Sequence, residues 1–149
     1  MPEPAFSQVG QIGIVVPDLD AAIRAWEEGY GIGPWSVFEL RPEQCTDVRV
    51  DGEPVEWSAR AATAMVGPVM IELIEPVDDD DMFGRFLAEN GPGVHHIAMH
   101  TPDYDAAVAT STGGGRELHL TGEFTGIAVS YLPTRQDLGT IIEVFKKLG

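Results

Sequence analysis

Four polar side chains stand inside stretches that otherwise read as apolar strands. Gln11 lies in Val9–Val16, Glu72 in Val69–Glu75, His96 in the run that starts at Val94, and Glu143 in Thr140–Phe145. A buried carboxylate needs a cation, a proton or a hydrogen-bond partner. Two carboxylates drawn together repel unless positive charge lies between them. A divalent metal supplies that charge. One imidazole nitrogen, one amide oxygen and two carboxylates make a mixed N/O donor set suited to Zn, Ni, Co, Mn or Fe(II). Gln11, Glu72, His96 and Glu143 are therefore candidate metal ligands.

Each residue taken singly has a plainer role. A lone strand histidine is more often a hydrogen-bonded structural residue. Glu143 could pair with Arg116 or Arg135, or face solvent near Lys146 and Lys147. The case rests on the four occurring at duplicated positions. Gln11 laid on His96 makes Ile12/Ile97, Pro17/Pro102, Asp18/Asp103, Asp20/Asp105, Ala21/Ala106 and Ala22/Ala107 identical pairs. Glu72 and Glu143 then fall at matching places in the last strand of each copy. By strand alternation His100 shares the face of His96, and His95 faces the other way. His119 reads as a surface or packing residue.

The elements that must carry these residues repeat as well. Val9–Val16 alternates with period two and predicts a strand, closed by Pro17. Asp18 is placed to cap a helix from Leu19 to about Gly29. Trp35–Leu40, Asp47–Val50, Val55–Val66 and Val69–Glu75 read as extended, with a hairpin turn at Asp51-Gly52. In the second copy a helix from Asp103 to about Thr112 follows the histidine strand. Glu117–Leu120, Ile127–Leu132 and Thr140–Phe145 read as the remaining strands. The fold class is α+β, with two tandem βαβββ modules, residues 9–76 and 93–146. They are joined by a linker, residues 77–92, with a short helix around Phe83, Phe86 and Leu87. The acidic run Val77–Asp81 reads as a solvated helix start, since it lacks the spaced ligands and glycine of a calcium loop.

Composition removes several function classes. The net charge is −15, with nine Lys and Arg against 24 Asp and Glu. That balance gives no cationic footprint for nucleic acid. No run approaches the roughly 18 apolar residues of a membrane span. Met1–Pro4 lacks the order of a signal peptide, so a cytoplasmic protein is expected. The single Cys45 excludes an intramolecular disulfide and a thiolate metal cluster.

These residues resemble the vicinal-oxygen-chelate superfamily, the group of glyoxalase I, methylmalonyl-CoA epimerase, extradiol dioxygenases and bleomycin-resistance proteins. The carriers are Gln11–Ala22, Ile71–Pro76, His95–Ala98 and Ile141–Val144. The resemblance implies modules whose curved sheets form a metal-holding cleft, commonly in a homodimer. The epimerase pattern would have His at position 11, where this chain has Gln11. The Gln11, Glu72, His96 and Glu143 set resembles the ligands of eukaryotic-type glyoxalase I. The phrases Pro17–Asp20 and His95–Ala98 resemble the epimerase branch. Gln11 argues against the iron dioxygenases, which use two His and one Glu.

The resemblance implies a metal-dependent isomerase, epimerase or lyase that stabilises an enolate on a small carbonyl or acyl-thioester substrate. The metal would be Zn, Ni, Co or Mn. In a glyoxalase-like reading Glu143 is both ligand and base, with Glu72 opposite. In an epimerase-like reading a second acid or base comes from the long third strand, where Glu56 is the candidate. The alternative is a metal-free protein that sequesters a hydrophobic small molecule or antibiotic. Trp35, Phe38, Trp57 and Phe124 would line its apolar pocket.

Overall fold

The duplicated sequence folds into duplicated local structure. In this computed structural model, which describes residues 5–149, Ile- and Val-rich alternation gives strand β1, Gln8–Val15, and its counterpart β7, Gly93–His100. Met1–Pro4, read above for a leader, lie outside the described residues. Helix α1, Leu19–Arg24, follows β1, and α3, Tyr104–Ser111, follows β7. The duplicated aspartates start both helices. Ala21 N–H donates to Asp18 Oδ1 and Ala106 N–H to Asp103 Oδ1, each at 3.0 Å. These bonds satisfy orphan donors of the first turn. Past Arg24 the helix widens into a π-turn over Ala25–Gly29.

The first copy continues through β2, Ser36–Leu40, a hairpin of β3, Cys45–Val50, and β4, Glu53–Pro54, then β5, Ala59–Val66, and β6, Val69–Glu75. Helix α2, Met82–Asn90, crosses to the second copy. That copy ends with β8, Leu120–Phe124, β9, Ile127–Tyr131, a short helix α4, Arg135–Leu138, and β10, Ile141–Lys147. All ten strands join one strongly curled open sheet in the order β2-β5-β6-β1-β7-β10-β9-β8-β3-β4. The mixed α+β architecture is the one expected.

Strand pairing repeats with the sequence. β1 runs parallel to β6, with Gly13 opposite Glu72. β7 runs parallel to β10, with Ala98 opposite Glu143. β1 and β7 pair antiparallel at the centre, Gly13 against His96 and Gln11 against Ala98. Helix α1, through Leu19, Ala22 and Ile23, and the π-turn after it, through Trp26, cover the outer face of one half. Helix α3 covers the other through Tyr104, Ala107 and Val108. A separate apolar cluster holds Trp57, Phe83, Phe86, Leu120, Phe124 and Tyr131.

Two local expectations are corrected. Val55–Val66 is not one strand: β5 starts at Ala59, and Val55–Ser58 is an irregular approach that buries Trp57. The strand expected at Glu117–Leu120 begins at Leu120, where pairing with β9 and β3 starts. β3 also leaves its own copy and pairs with β8, Cys45 against Phe124 and Val50 against Leu120. Sequence periodicity carries no information on such a distant partner. The acidic run does start a helix: Asp81 accepts from the N–H groups of Gly84 and Val77 at 2.7 and 2.9 Å.

Candidate active site

His96 stands at the centre of the site and is fully buried. Gly13 lies opposite it on β1, and a Cβ there would sit inside contact distance of the ring's Cε1, Nε2 and Nδ1. The missing side chain of Gly13 is therefore the space that the imidazole fills. The ring stacks on Tyr131, with centroids 4.8 Å apart. Its Nε2 lies 3.4 Å from Gln11 Oε1 and 3.5 Å from Glu72 Oε1. Gln11 donates its amide N–H to Met70 Sδ at 3.4 Å, which leaves the amide oxygen for the histidine.

His95 does not face away from this centre. Its Nδ1 is 3.0 Å from His96 Nδ1, and its ring packs on Phe83 and Phe86 of α2 and on Tyr131. The cause is a register shift. His96 pairs with Gly13 but Val94 pairs with Ile14, so His95 is the extra residue of a bulge. A bulge breaks strict alternation and lets neighbouring side chains share one side. β1 carries a matching shift between Val9 and Gln11, which makes Gly10 the extra residue there. Gly10 and His95 are equivalent positions of the repeat.

Glu143 lines the same cavity from β10, beside Tyr131 on β9 and Ala98 on β7. Burial pushes its carboxyl up to about 7; His96 pulls the other way and Glu72 adds to the rise. Burial disfavours a charge on His96, but its bond to Glu72 and the charges of Glu143 and Glu72 outweigh that and raise its basicity. Burial and the same carboxylates raise the Tyr131 phenol well above its ordinary value. None of the plainer partners reaches Glu143. Arg116 pairs with Asp137, Arg135 bonds Asn90, and Lys146 pairs with Asp105.

Among the described residues no three His, Cys, Asp or Glu side chains are gathered into a preformed cage. The convergence includes an amide: Gln11 Oε1 and Glu72 Oε1 flank His96 Nε2, and Glu143 shares their cavity. Two carboxyl groups here face one imidazole, and burial and Glu72 disfavour the ionised form of Glu143. The donor set and this repulsion both fit a divalent ion.

The cavity above these groups measures about 760 Å³, within the usual range for a small-molecule site. Phe38, Trp57, Leu120, Phe124 and Val129 line it, with Tyr131 and His100 near the polar floor. His100 packs edge-on against Phe145. Trp35 instead packs against Trp26, away from the cavity. Glu56 is exposed and does not line the cavity; the irregular Val55–Ser58 segment turns Trp57 inward in its place. Sequence reasoning also missed Tyr131, whose strand carries no signal of its own. His95 was traceable only through its equivalence to Gly10.

A family model described as Glyoxalase/Bleomycin resistance protein/Dioxygenase superfamily matches residues 10–131. A 2-epi-5-epi-valiolone epimerase from Actinomyces sp. is 34% identical over 108 residues, 70% of this chain and 57% of that protein. Hemolysin VllY of Vibrio vulnificus is 31% identical over 91 residues, 58% of this chain and 26% of that protein. The chain thus spans from about a quarter to somewhat over half of these relatives' lengths. Among solved structures, a variant of Streptomyces coelicolor methylmalonyl-CoA epimerase, in complex with 2-nitronate-propionyl-CoA, superposes with a TM-score of 0.71. It is 25% identical and covers 97% of this chain and 99% of its own. Methylmalonyl-CoA epimerase from Mycobacterium tuberculosis shares the fold at 20% identity and a TM-score of 0.70, covering 100% of this chain and 93% of its own.

Proposed function

Because this chain belongs to the glyoxalase/bleomycin resistance protein/dioxygenase superfamily, we propose that it is an epimerase-type isomerase. It moves a proton at the carbon beside a carbonyl. Gln11, Glu72, His96 and Glu143 would hold a divalent metal. The observation that carries this reading is the convergence of Gln11 Oε1 and Glu72 Oε1 on His96 Nε2, beside a Glu143 carboxyl pushed up to about 7.

A bound divalent ion would act as a Lewis acid that favours negative charge on the substrate oxygen. The chain's own residues do the rest. A carboxylate beside the α-carbon accepts a proton and returns it. Glu143 is that group. When its carboxylate takes the α-proton, the C–H pair moves toward the carbonyl oxygen and the substrate becomes an enolate. Glu72 stands on β6, two strands across from β10, with β1 and β7 between. A flat enolate lying over β1 and β7 would meet Glu143 from one side and Glu72 from the other. Glu72, entering the step protonated, gives its proton to the second face and is left as the carboxylate while Glu143 keeps the first proton, which gives the epimer. His96, fixed by Gly13, Tyr131 and His95, positions Gln11 and Glu72 around one point. The apolar walls exclude water, which strengthens these charges.

The test is isotope exchange. Metal-loaded protein in deuterated water should place deuterium at the α-carbon of a bound carbonyl substrate, and Glu143→Gln should slow this at least 100-fold. A second reading, a metal-free binder of hydrophobic molecules, is favoured by the apolar walls of the cavity. It predicts tight binding with no exchange in either protein.

A further inference from the structure

Among the described residues, no Lys or Arg lines the cavity over the two carboxylates. We propose that its substrate is an uncharged, largely hydrophobic carbonyl compound, and not an acyl-CoA or other phosphorylated or carboxylated molecule. The carbonyl rests on the enolate reading above. The absence of charge follows from the cavity itself.

The ionisable side chains that line it are Glu39, Glu72, Glu143, His100 and Tyr131; no Lys or Arg does. Of the nine basic residues, Arg24, Arg85 and Lys147 line neither this cavity nor the hollow beside it, and five of the others are engaged elsewhere. Arg60 is held by Glu75 at 3.1 Å, Asp20 at 3.3 Å and Glu39 at 3.9 Å. Arg116 pairs with Asp137, and Lys146 pairs with Asp105 over the Tyr104 ring. Arg135 lies over Phe86, and Arg49 donates to the carbonyl of Gly52. Arg41 lines a shallow adjoining hollow, but Glu39 and Glu43 line it too. Phosphates and carboxylates are recognised by forked Arg contacts, Lys charges or free helix N-termini. Here α1, α2 and α3 each cap their own first turn with Asp18, Asp81 or Asp103. Among the described residues the cavity's own lining holds no Lys, Arg or free helix N-terminus, and Arg41 stands just outside it among two carboxylates.

A substrate carboxylate would add negative charge beside Glu39 in a chain of net −15. The apolar remainder, with Phe38, Leu40, Trp57, Leu120, Phe124 and Val129 in the walls, fits an aryl or alkyl body.

A matched pair of probes tests this on the full metal-loaded chain. Calorimetry compares 2-hydroxy-1-phenylpropan-1-one, its para-carboxylate and propionyl-CoA. The neutral ketone should bind at least tenfold more tightly than the carboxylate, with an affinity that does not change between 50 mM and 500 mM salt. Propionyl-CoA should show no saturation at millimolar concentration. Equal or tighter binding of either anion overturns the proposal. So does failure to bind of the neutral ketone and of its naphthyl and biphenyl homologues. Deuterium exchange, followed by NMR in the same samples, reads the enolate step separately. Neutral binding without exchange upholds the substrate class and removes the enolate reading.

Discussion

Gly13 and His96 are two halves of one contact: the imidazole of His96 fills the volume that any side chain at position 13 would need. The candidate centre depends on that vacancy, because it sets where Nε2 meets Gln11 and Glu72. The site is thus specified as much by an absent side chain on β1 as by the polar residues around it.

Gly13→Ala should therefore displace His96. Overfilling a packed interior typically costs about 1–3 kcal/mol. We expect a loss of that size in chemical denaturation, with metal affinity reduced at least tenfold. Unchanged metal affinity in a folded Gly13→Ala protein would show that His96 does not need this seat.

His95 should orient His96. The Nδ1 to Nδ1 contact of 3.0 Å lets one ring donate and the other accept. With His96 Nε2 given to a metal, its Nδ1–H donates to His95. Partners of this kind typically change metal affinity 10–100-fold. His95→Phe keeps the aromatic packing against Phe83 and Phe86 and removes the bond. Titration calorimetry should show metal binding weakened by that factor. Unchanged affinity would reduce His95 to a packing residue.

The same histidine should confer acid lability. Burial is the main reason that the His95 imidazole is held down to about 3; the charges of His96, Arg135 and His119 add to it. The unfolded chain binds a proton near pH 6.5 and the folded one does not, so His95 lowers stability as pH falls from about 6.5 toward 3. The upper bound is on the order of 5 kcal/mol. Urea denaturation across that range should show a smaller acid loss for His95→Phe than for the parent. Parallel curves would contradict a neutral buried His95.

Proton competition at Glu143 should govern metal uptake. Its carboxyl keeps a proton until about pH 7, chiefly because of burial. Metal binding must displace that proton and the one held by His96, whose basicity is also raised, so affinity should fall as pH drops. Glu143→Gln should lower overall affinity and reduce the slope of log affinity against pH by about one. An unaltered slope would remove Glu143 from the ligand set.

Much of this was legible in the sequence because duplication is written in residue identities. Ile12/Ile97, Asp18/Asp103 and Ala21/Ala106 foretold two strands, two Asp-capped helices and equivalent places for Gln11 and His96. Glu72 and Glu143 stood out as carboxylates among Ile and Leu. The failures share a cause. Period-two reasoning assumes an unbroken strand, so it turned His95 outward, where a bulge turns it toward His96. It also extended a strand back through Glu56, where the chain bends to bury Trp57. The pairing of β3 with β8 and the stacking of Tyr131 on His96 are long-range facts that no local pattern encodes.

The most direct test of the central claim is calorimetric titration of the metal-free protein with Zn, Ni, Co and Mn. The account predicts one equivalent bound by at least one of these ions. Affinity should fall at least tenfold in each of Gln11→Ala, Glu72→Ala, His96→Ala and Glu143→Ala. No binding of any of the four ions, or binding that survives all four substitutions, would contradict it.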